Sequence, residues 1–158
     1  MGGILIVYYS RSGNTKKMAE FVREGVVAAG TACDLVSTQE ASVDTWPRYD
    51  GIILGSPTYY GQPAAELKAL LDRSVKYHGK LTGKVGGAFA SCGILGGGVE
   101  TTVRALLDGL LIHGMIVQGT ASGPHYGAVC VGKPDETAAQ HCRELGRRVA
   151  ELARKVVA

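Results

Sequence analysis

The residues best suited to chemistry form a short polar segment near the amino terminus, Ser10-Arg11-Ser12-Gly13-Asn14-Thr15. The segment follows an apolar run at residues 4–9 and precedes a helical pattern, so its backbone N–H groups would lie at a helix N-terminus. Unpaired N–H donors and the helix dipole stabilise an anion there. Hydroxyl and amide side chains add donors, and Gly13 permits a close backbone approach. The same residue types cap helices, but one hydroxyl suffices for a cap. This density of polar residues therefore favours a bound phosphate.

The sequence lacks the residues that other kinds of phosphate loop require. The sequence contains no GxxxxGK[ST] motif and no GxGxxG after the first strand, which argues against a nucleoside triphosphate site and a dinucleotide fingerprint. The segment has no cysteine nucleophile of the phosphatase type and no acidic pair for a magnesium-dependent phosphoryl acceptor. We therefore expect passive recognition of a terminal phosphate.

A second segment offers a surface for a flat ligand, Ser56-Pro57-Thr58-Tyr59-Tyr60-Gly61-Gln62-Pro63. Aromatic side chains gain dispersion and stacking energy against a planar heterocycle, and the polar neighbours can fix its orientation. The alternative is that Tyr59 and Tyr60 are half-buried surface aromatics, which are common. A phosphate loop nearby makes the ligand-binding interpretation the stronger one.

A third segment is rich in glycine, Ser91-Cys92-Gly93-Ile94-Leu95-Gly96-Gly97-Gly98. Its main-chain N–H and C=O groups can approach the polar edge of a ring closely. A flexible connection is the alternative interpretation. Cys92 is interpreted as a small packing residue.

Strand and helix patterns alternate along the chain. Strands are predicted at residues 4–9, 33–36, 50–55, 84–91 and 115–118, the last resuming at 128–131 after a loop, and helices at 15–29, 64–74, 99–113 and 135–157. This alternation predicts a single α/β domain over residues 1–158, with a doubly wound five-stranded parallel sheet and helices on both faces. Ligands of such sheets bind beyond the carboxyl ends of the strands, which is where the three polar segments fall.

Composition excludes several classes of protein. Apolar residues make up 46% of the chain and charged residues 20%, and no apolar run reaches the ~20 residues of a membrane span. The net charge of +3 is small and scattered, so no nucleic-acid-binding face is expected. The four cysteines show no metal-binding spacing and are typical of reduced thiols in a cytoplasmic protein.

At these segments the sequence resembles the flavodoxin-like superfamily, and most closely the WrbA-type NAD(P)H:quinone oxidoreductases. The matching stretches span nearly the whole chain in order: Tyr9-Ser10-Arg11-Ser12-Gly13-Asn14-Thr15, Gly55-Ser56-Pro57-Thr58-Tyr59-Tyr60-Gly61, Gly98-Val99-Glu100-Thr101-Thr102, His113-Gly114-Met115 and Tyr126-Gly127-Ala128. The resemblance implies the strand order 2-1-3-4-5 and FMN as cofactor. It implies that the phosphate is held by Ser10, Arg11, Ser12, Gly13, Asn14 and Thr15. The isoalloxazine ring would contact Pro57, Thr58, Tyr59, Tyr60, Gly61, Ser91, Cys92, Gly93 and Ile94.

The resemblance further implies two-electron chemistry, with NAD(P)H as donor and a quinone or similar small molecule as acceptor. His125 and Tyr126 are candidates for donating a proton to the reduced acceptor, although the interpretation of His125 as an exposed loop residue is slightly favoured. The chain departs from the family where Ile112 replaces the first residue of a His pair, and where the segments before the third strand and between residues 118 and 126 are short. These departures leave a homo-oligomer, dimer or tetramer, open.

Fold alone does not distinguish an enzyme from a one-electron carrier of the flavodoxin type. A low-potential carrier needs negative charge around its ring, and the second and third segments and residues 121–127 contain no Asp or Glu. This favours a reductase, with the electron carrier as the alternative and a flavin-binding regulatory module as a third interpretation.

Overall fold

The computed structural model describes residues 2–157. Its seven strands are β1 (Ile4–Tyr8), β2 (Cys33–Ser37), β3 (Gly51–Tyr59), β4 (Gln62–Pro63), β5 (Val85–Cys92), β6 (Ile116–Val117) and β7 (Ala128–Val131). Its α-helices are α1 (Asn14–Ala28), α2 (Ala65–Arg73), α3 (Val99–Ile112) and α4 (Glu136–Val157), with 3₁₀ turns at Val43–Arg48 and Ser74–Tyr77. The predicted elements are all present, and most boundaries shift by only one or two residues.

The parallel sheet has the order β2-β1-β3-β5-β6, and β7 also pairs with β5. β6 pairs with the start of β5 at Val85 and Gly86, and β7 pairs with its end from Phe89 to Cys92. These two pieces together are the fifth strand that the sequence predicts in two parts. The predicted order 2-1-3-4-5 is therefore confirmed.

The central strands are buried on both faces, as their continuous apolar sequences predict. In β1, Ile4 and Ile6 point into the core under α1 and α4, whereas Leu5 and Val7 point into the core under α2 and α3. Successive side chains of one strand point to opposite faces and thus contribute to the core on both sides of the sheet.

The prediction that residues 56–63 form a loop was wrong for most of that segment. β3 continues to Tyr59, and β4 folds back against it, with Thr58 opposite Pro63 and Tyr59 opposite Gln62. The two-residue turn uses Tyr60 and Gly61, whose φ angles are 52° and 72°. Two positive φ values in succession are the geometry of a type I′ hairpin. The second segment is therefore a rigid hairpin at the carboxyl edge of the sheet.

Helices α1 and α4 pack on one face of the sheet with their backbones in close approach. A Cβ atom added at Gly25 would lie 1.9 Å from the carbonyl oxygen of Arg143, and one added at Gly146 would lie 2.1 Å from that of Val22. Only glycine fits at these two crossing points. Within residues 2–157, no helix combines the length and hydrophobicity that a membrane-spanning segment needs.

Candidate functional site

The three polar segments converge at the carboxyl edge of the sheet, where they line one cavity of about 230 Å³. The lining residues come from all three segments: Arg11, Ser12, Asn14, Thr15, Pro57, Thr58, Tyr59, Ser91, Cys92 and Gly93. β1, β3 and β5 are neighbours in the sheet, so their carboxyl ends bring these residues together. The fold therefore places ten of the predicted binding residues around one space.

The first segment leads into α1 without a side-chain cap. Gly13 occupies the N-cap position with φ 106°, and it has no hydrogen-bonding side chain to offer the first turn. Ser10 Oγ accepts a hydrogen bond from the Gly13 N–H at 3.1 Å, which holds the turn in place from outside the helix. The N–H groups of the first helical turn are thus available to an anion.

A buried hydroxyl pair links the first segment to the third. Thr15 Oγ1 and Ser91 Oγ lie 2.8 Å apart, and the two residues are only 2% and 6% exposed. The pair fixes the start of α1 against the end of β5. The position of the first helical turn relative to the third segment therefore depends on this contact.

Thr15→Ala is expected to weaken binding of a phosphate-bearing ligand by about 1–3 kcal/mol, because a hydroxyl that helps to hold a charged group is lost. Ser12→Ala is expected to have an effect of the same size. Fluorescence titration of the apoprotein with FMN measures both losses. Thr45→Ala, which removes a hydroxyl in an exposed turn bonded only to the Ser42 carbonyl, is the matched control. An unchanged FMN affinity in both site variants would contradict the role assigned to the loop.

Thr58 provides an unsatisfied polar group at the cavity. Its Oγ1 is buried and has no hydrogen-bond partner among the described residues, and the residue lines the cavity. A buried hydroxyl without a partner costs about 1–3 kcal/mol of folding free energy. A polar ligand atom in the cavity would supply the missing hydrogen bond. Ser56 has a structural role instead, since its Oγ donates to the Pro57 carbonyl and accepts from the Ala64 N–H.

Cys92 closes the cavity from the third segment. It is 8% exposed, and its Sγ lies 3.3 Å from the Ile94 carbonyl oxygen. A Cβ added at Gly97 would lie 2.5 Å from that Sγ, so the glycine-rich loop folds directly over the thiol. The packing role predicted for Cys92 agrees with this geometry.

Five of the predicted residues lie outside this cavity. Ser10 and Gly13 line an adjoining polar cavity of about 280 Å³ on the β2 side of the phosphate loop. Tyr60 and Ile94 project into solvent, Ile94 with 70% of its surface exposed, while Gly61 sits in the hairpin turn. They form a rim around the cavity rather than its lining.

The candidate proton donors also lie apart from the cavity. His125 is exposed, and its Nδ1 is 2.8 Å from the Thr120 carbonyl oxygen within the same loop. Tyr126 is 48% exposed and lies under the guanidinium of Arg104, 5.1 Å from ring centroid to Cζ. Their catalytic role remains a prediction.

One acidic side chain near the site was missed in the sequence. Burial and the nearby Glu66 carboxylate raise the pKa of Tyr9, whose ring meets that of Tyr59 edge to face at 6.5 Å. Glu66 belongs to the first turn of α2, outside the three segments, so reading the segments alone could not find it.

A polar loop at a helix N-terminus, an aromatic wall and a glycine-rich wall meet at the switch point of this α/β sheet, which is where proteins of this fold class bind their ligands. The chain matches the flavodoxin domain family over residues 5–107, and it belongs to that family. It is 39% identical over 160 residues to a protein named flavodoxin from Aquifex aeolicus, covering 96% of this chain and 86% of that protein. It is also 32% identical over 190 residues to an NAD(P)H dehydrogenase (quinone) from Archaeoglobus fulgidus, covering 99% and 100%.

A solved structure agrees with this assignment. The flavodoxin, WrbA-like protein from Agrobacterium tumefaciens superposes with a TM-score of 0.84 and 29% identity over 98% of this chain and 99% of that one. The predicted resemblance and fold class are confirmed.

The two relatives differ in how many insertions their alignments with this chain contain. An alignment of 190 positions against a chain of 158 residues leaves at least 32 positions of the Archaeoglobus protein unmatched. The alignment with the Aquifex flavodoxin spans only 160 positions. The alignment with the Aquifex protein therefore contains few insertions, although it covers only 86% of that protein, and this chain shares about a third of its sequence with both relatives.

Proposed function

We propose that the chain is a single-domain FMN-binding reductase that passes two electrons from NAD(P)H to a quinone or a similar acceptor. The observation that carries the proposal is the cavity shared by the three segments. It has a phosphate cradle at one side, a polar and aromatic hairpin at another, and no carboxylate among its lining residues.

The residues present fit FMN. The uncapped start of α1 and the hydroxyls of Ser12 and Thr15 suit a phosphate dianion. The unpartnered Thr58 hydroxyl suits a polar edge of the ring system, and Tyr59 offers an aromatic face. When bound, FMN supplies the redox chemistry, and the protein supplies orientation and electrostatics.

The charges around the cavity support a reductase. Arg11 lines the cavity, and Glu66, the acid whose charge acts on Tyr9, belongs to α2 and is exposed to solvent. Positive charge around the ring stabilises its reduced, anionic form, whereas a low-potential carrier needs negative charge there. Relatives that are 30–32% identical over the full chain are named NAD(P)H dehydrogenase (quinone), and these names also support a reductase.

A flavodoxin-type electron carrier is the second candidate, and the small number of insertions in the alignment with the relative named flavodoxin favours it. The segments that make the quinone-reductase relatives longer are missing here, and the 39% identical relative is named flavodoxin. The four cysteines are free thiols, which suits a cytoplasmic location under either function.

Steady-state turnover separates the two candidates. FMN-loaded protein is expected to oxidise NADH or NADPH with benzoquinone as acceptor and without any accessory protein. Turnover that appears only after a separate flavodoxin reductase is added would assign the chain to the carriers.

A further inference from the structure

A large cavity lies apart from the proposed flavin site. It has a volume of about 760 Å³ and lies between α2 and α3, which approach closely where a Cβ added at Gly109 would lie 3.0 Å from the Leu71 side chain. Its walls are mainly apolar, with Pro63, Val75 and Ile112 among them. A space of this size and character is typical of a small-molecule site, and it shares no lining residue with the flavin cavity.

A second cavity extends this space towards the hairpin. It has a volume of about 470 Å³ and shares Gln62, Ala105 and Asp108 with the first. Its upper end lies beside the turn of the hairpin, where Thr101 Oγ1 donates to the Gly61 carbonyl oxygen at 2.7 Å. The two cavities thus form one groove along α3, from the rim of the flavin cavity to the end of the helix. We call it the α2–α3 groove.

The length of the groove follows from the helix. Thr101 and His113 mark its two ends and are twelve residues apart, so the groove runs for ~18 Å at the rise of an α-helix. A ligand that uses all of it is extended, with one end at the hairpin and the other at His113.

Arg104 lies midway along the upper part of the groove. Its guanidinium stacks on the Tyr126 ring, with Cζ 5.1 Å from the centroid. No carboxylate lies within ion-pair distance of it in residues 2–157. The stacked plane leaves the N–H donors at its edge free for an anion, and this fork geometry matches phosphate oxygens.

Two carboxylates also line the groove near Arg104. Glu100 lies one turn before it and Asp108 one turn after it. Further on, Asp72 is neutralised by Lys68, whose Nζ lies 2.6 Å from its Oδ1. Asp108 has no ion-pair partner among the described residues. It therefore offers a free acceptor just beyond the anion position.

His113 supplies an unsatisfied acceptor at the far end. The residue is only 6% exposed and lines the larger cavity. Ser74 Oγ donates to the Leu71 carbonyl, so it accepts from His113 Nε2–H at 2.7 Å. His113 Nδ1 then carries a lone pair, and it is buried without a partner. Burial and the neighbouring His78 lower the pKa of His113, which keeps the ring neutral and Nδ1 an acceptor.

We propose that the α2–α3 groove binds the electron donor as an extended nicotinamide dinucleotide. The nicotinamide lies at the hairpin, the diphosphate at Arg104 and the adenosine in the larger cavity, with the adenine amino group donating to His113. Asp108 accepts from a ribose hydroxyl and repels a 2′-phosphate, so NADH is preferred over NADPH. This inference rests on the proposed function, since it places the donor of that reaction.

The test uses FMN-loaded protein and a ligand that lacks the nicotinamide. ADP-ribose is titrated calorimetrically into the wild type, into Arg104→Gln and into Ala105→Phe, which fills the groove from a half-buried position on α3. Arg104→Gln is expected to weaken ADP-ribose binding about tenfold or more, as for loss of a hydrogen bond to a charged group. Ala105→Phe is expected to weaken it at least as much, because the added ring occupies the space of the ligand. Arg147→Gln, an exposed arginine on α4 across the sheet, is the matched control and is expected to bind normally.

Reduction experiments add a second readout. Both groove variants are expected to need more NADH for half-maximal reduction. They are expected to react normally with reduced nicotinamide riboside, which lacks both phosphates and the adenosine half. Asp108→Asn is expected to narrow the preference for NADH over NADPH.

Failure of this inference differs from failure of the proposed function. Flavin that no nicotinamide donor reduces would reject the function, whereas ADP-ribose binding reports on the groove by itself. Wild-type protein that is reduced by NADH but binds no ADP-ribose, or variants that bind it as tightly as wild type, would overturn the groove assignment. A change of sedimentation coefficient in Ala105→Phe without ADP-ribose binding in the wild type would also overturn it, since the groove would then hold a second copy of the chain.

Discussion

Riboflavin will bind this protein about 100- to 10,000-fold more weakly than FMN. The two flavins differ only in the phosphate, for which the structure provides the uncapped first turn of α1 and the hydroxyls of the first segment. Two hydrogen bonds to a charged group, each contributing about 1.5–3 kcal/mol, account for a difference of this size.

The comparison is made by fluorescence titration of the same apoprotein with each flavin. In Thr15→Ala the ratio between the two affinities is expected to shrink, because the loss falls on FMN and leaves riboflavin little changed. Equal affinity of the wild type for both flavins would show that α1 does not bind the phosphate.

Gly146→Ala will destabilise the fold by about 1–3 kcal/mol or more, as expected when a methyl group is forced into a close-packed crossing. The added Cβ would meet the backbone oxygen of Val22 at 2.1 Å, and a backbone atom inside α1 cannot rotate away as a side chain does. Gly25→Ala is expected to act in the same direction, since its Cβ would meet a backbone oxygen of α4 at 1.9 Å.

Gly109→Ala is the matched control for these helix substitutions. Its Cβ would meet only the flexible end of Leu71, at 3.0 Å, and alanine favours the helix by about 0.5–1 kcal/mol over glycine. Urea unfolding is expected to give a lower midpoint for Gly146→Ala and an unchanged or higher one for Gly109→Ala. Equal midpoints for the two variants would contradict the role assigned to the α1–α4 crossing.

The alternation of elements could be predicted because each one carries a local pattern. The run Ile4-Leu5-Ile6-Val7 is apolar without interruption, which marks a strand buried on both faces, and the order of the strands followed from the resemblance. The first segment could be identified as a candidate phosphate loop for the same reason, because its residues are contiguous from Ser10 to Thr15.

The hairpin could not be predicted from its residues. Its turn is Tyr60-Gly61 instead of the usual Asn-Gly, and Pro57 and Pro63 both argue against strand. A tertiary contact stabilises this turn in place of its own residue preferences, because Thr101 Oγ1 of α3 donates a hydrogen bond to the Gly61 carbonyl oxygen.

Contacts between residues far apart in the chain could likewise not be predicted from the sequence. Thr15 and Ser91 are 76 residues apart and meet only because β1 and β5 both flank β3. The α2–α3 groove arises from the way two helices pack against each other beside Gly109, and no local pattern encodes that spacing. The sequence therefore identified the segments that line the proposed flavin site, whereas their mutual geometry and the α2–α3 groove could be seen only in the folded structure.

The central claim is that bound FMN accepts two electrons directly from a nicotinamide nucleotide, and anaerobic absorbance titration of the FMN-loaded protein tests it most directly. Addition of NADH, and separately of NADPH, is expected to bleach the flavin in a single phase with one nucleotide per flavin, and benzoquinone is expected to restore the colour. No bleaching by either nucleotide, with stepwise one-electron reduction under dithionite, would contradict the account and assign the protein to the electron carriers.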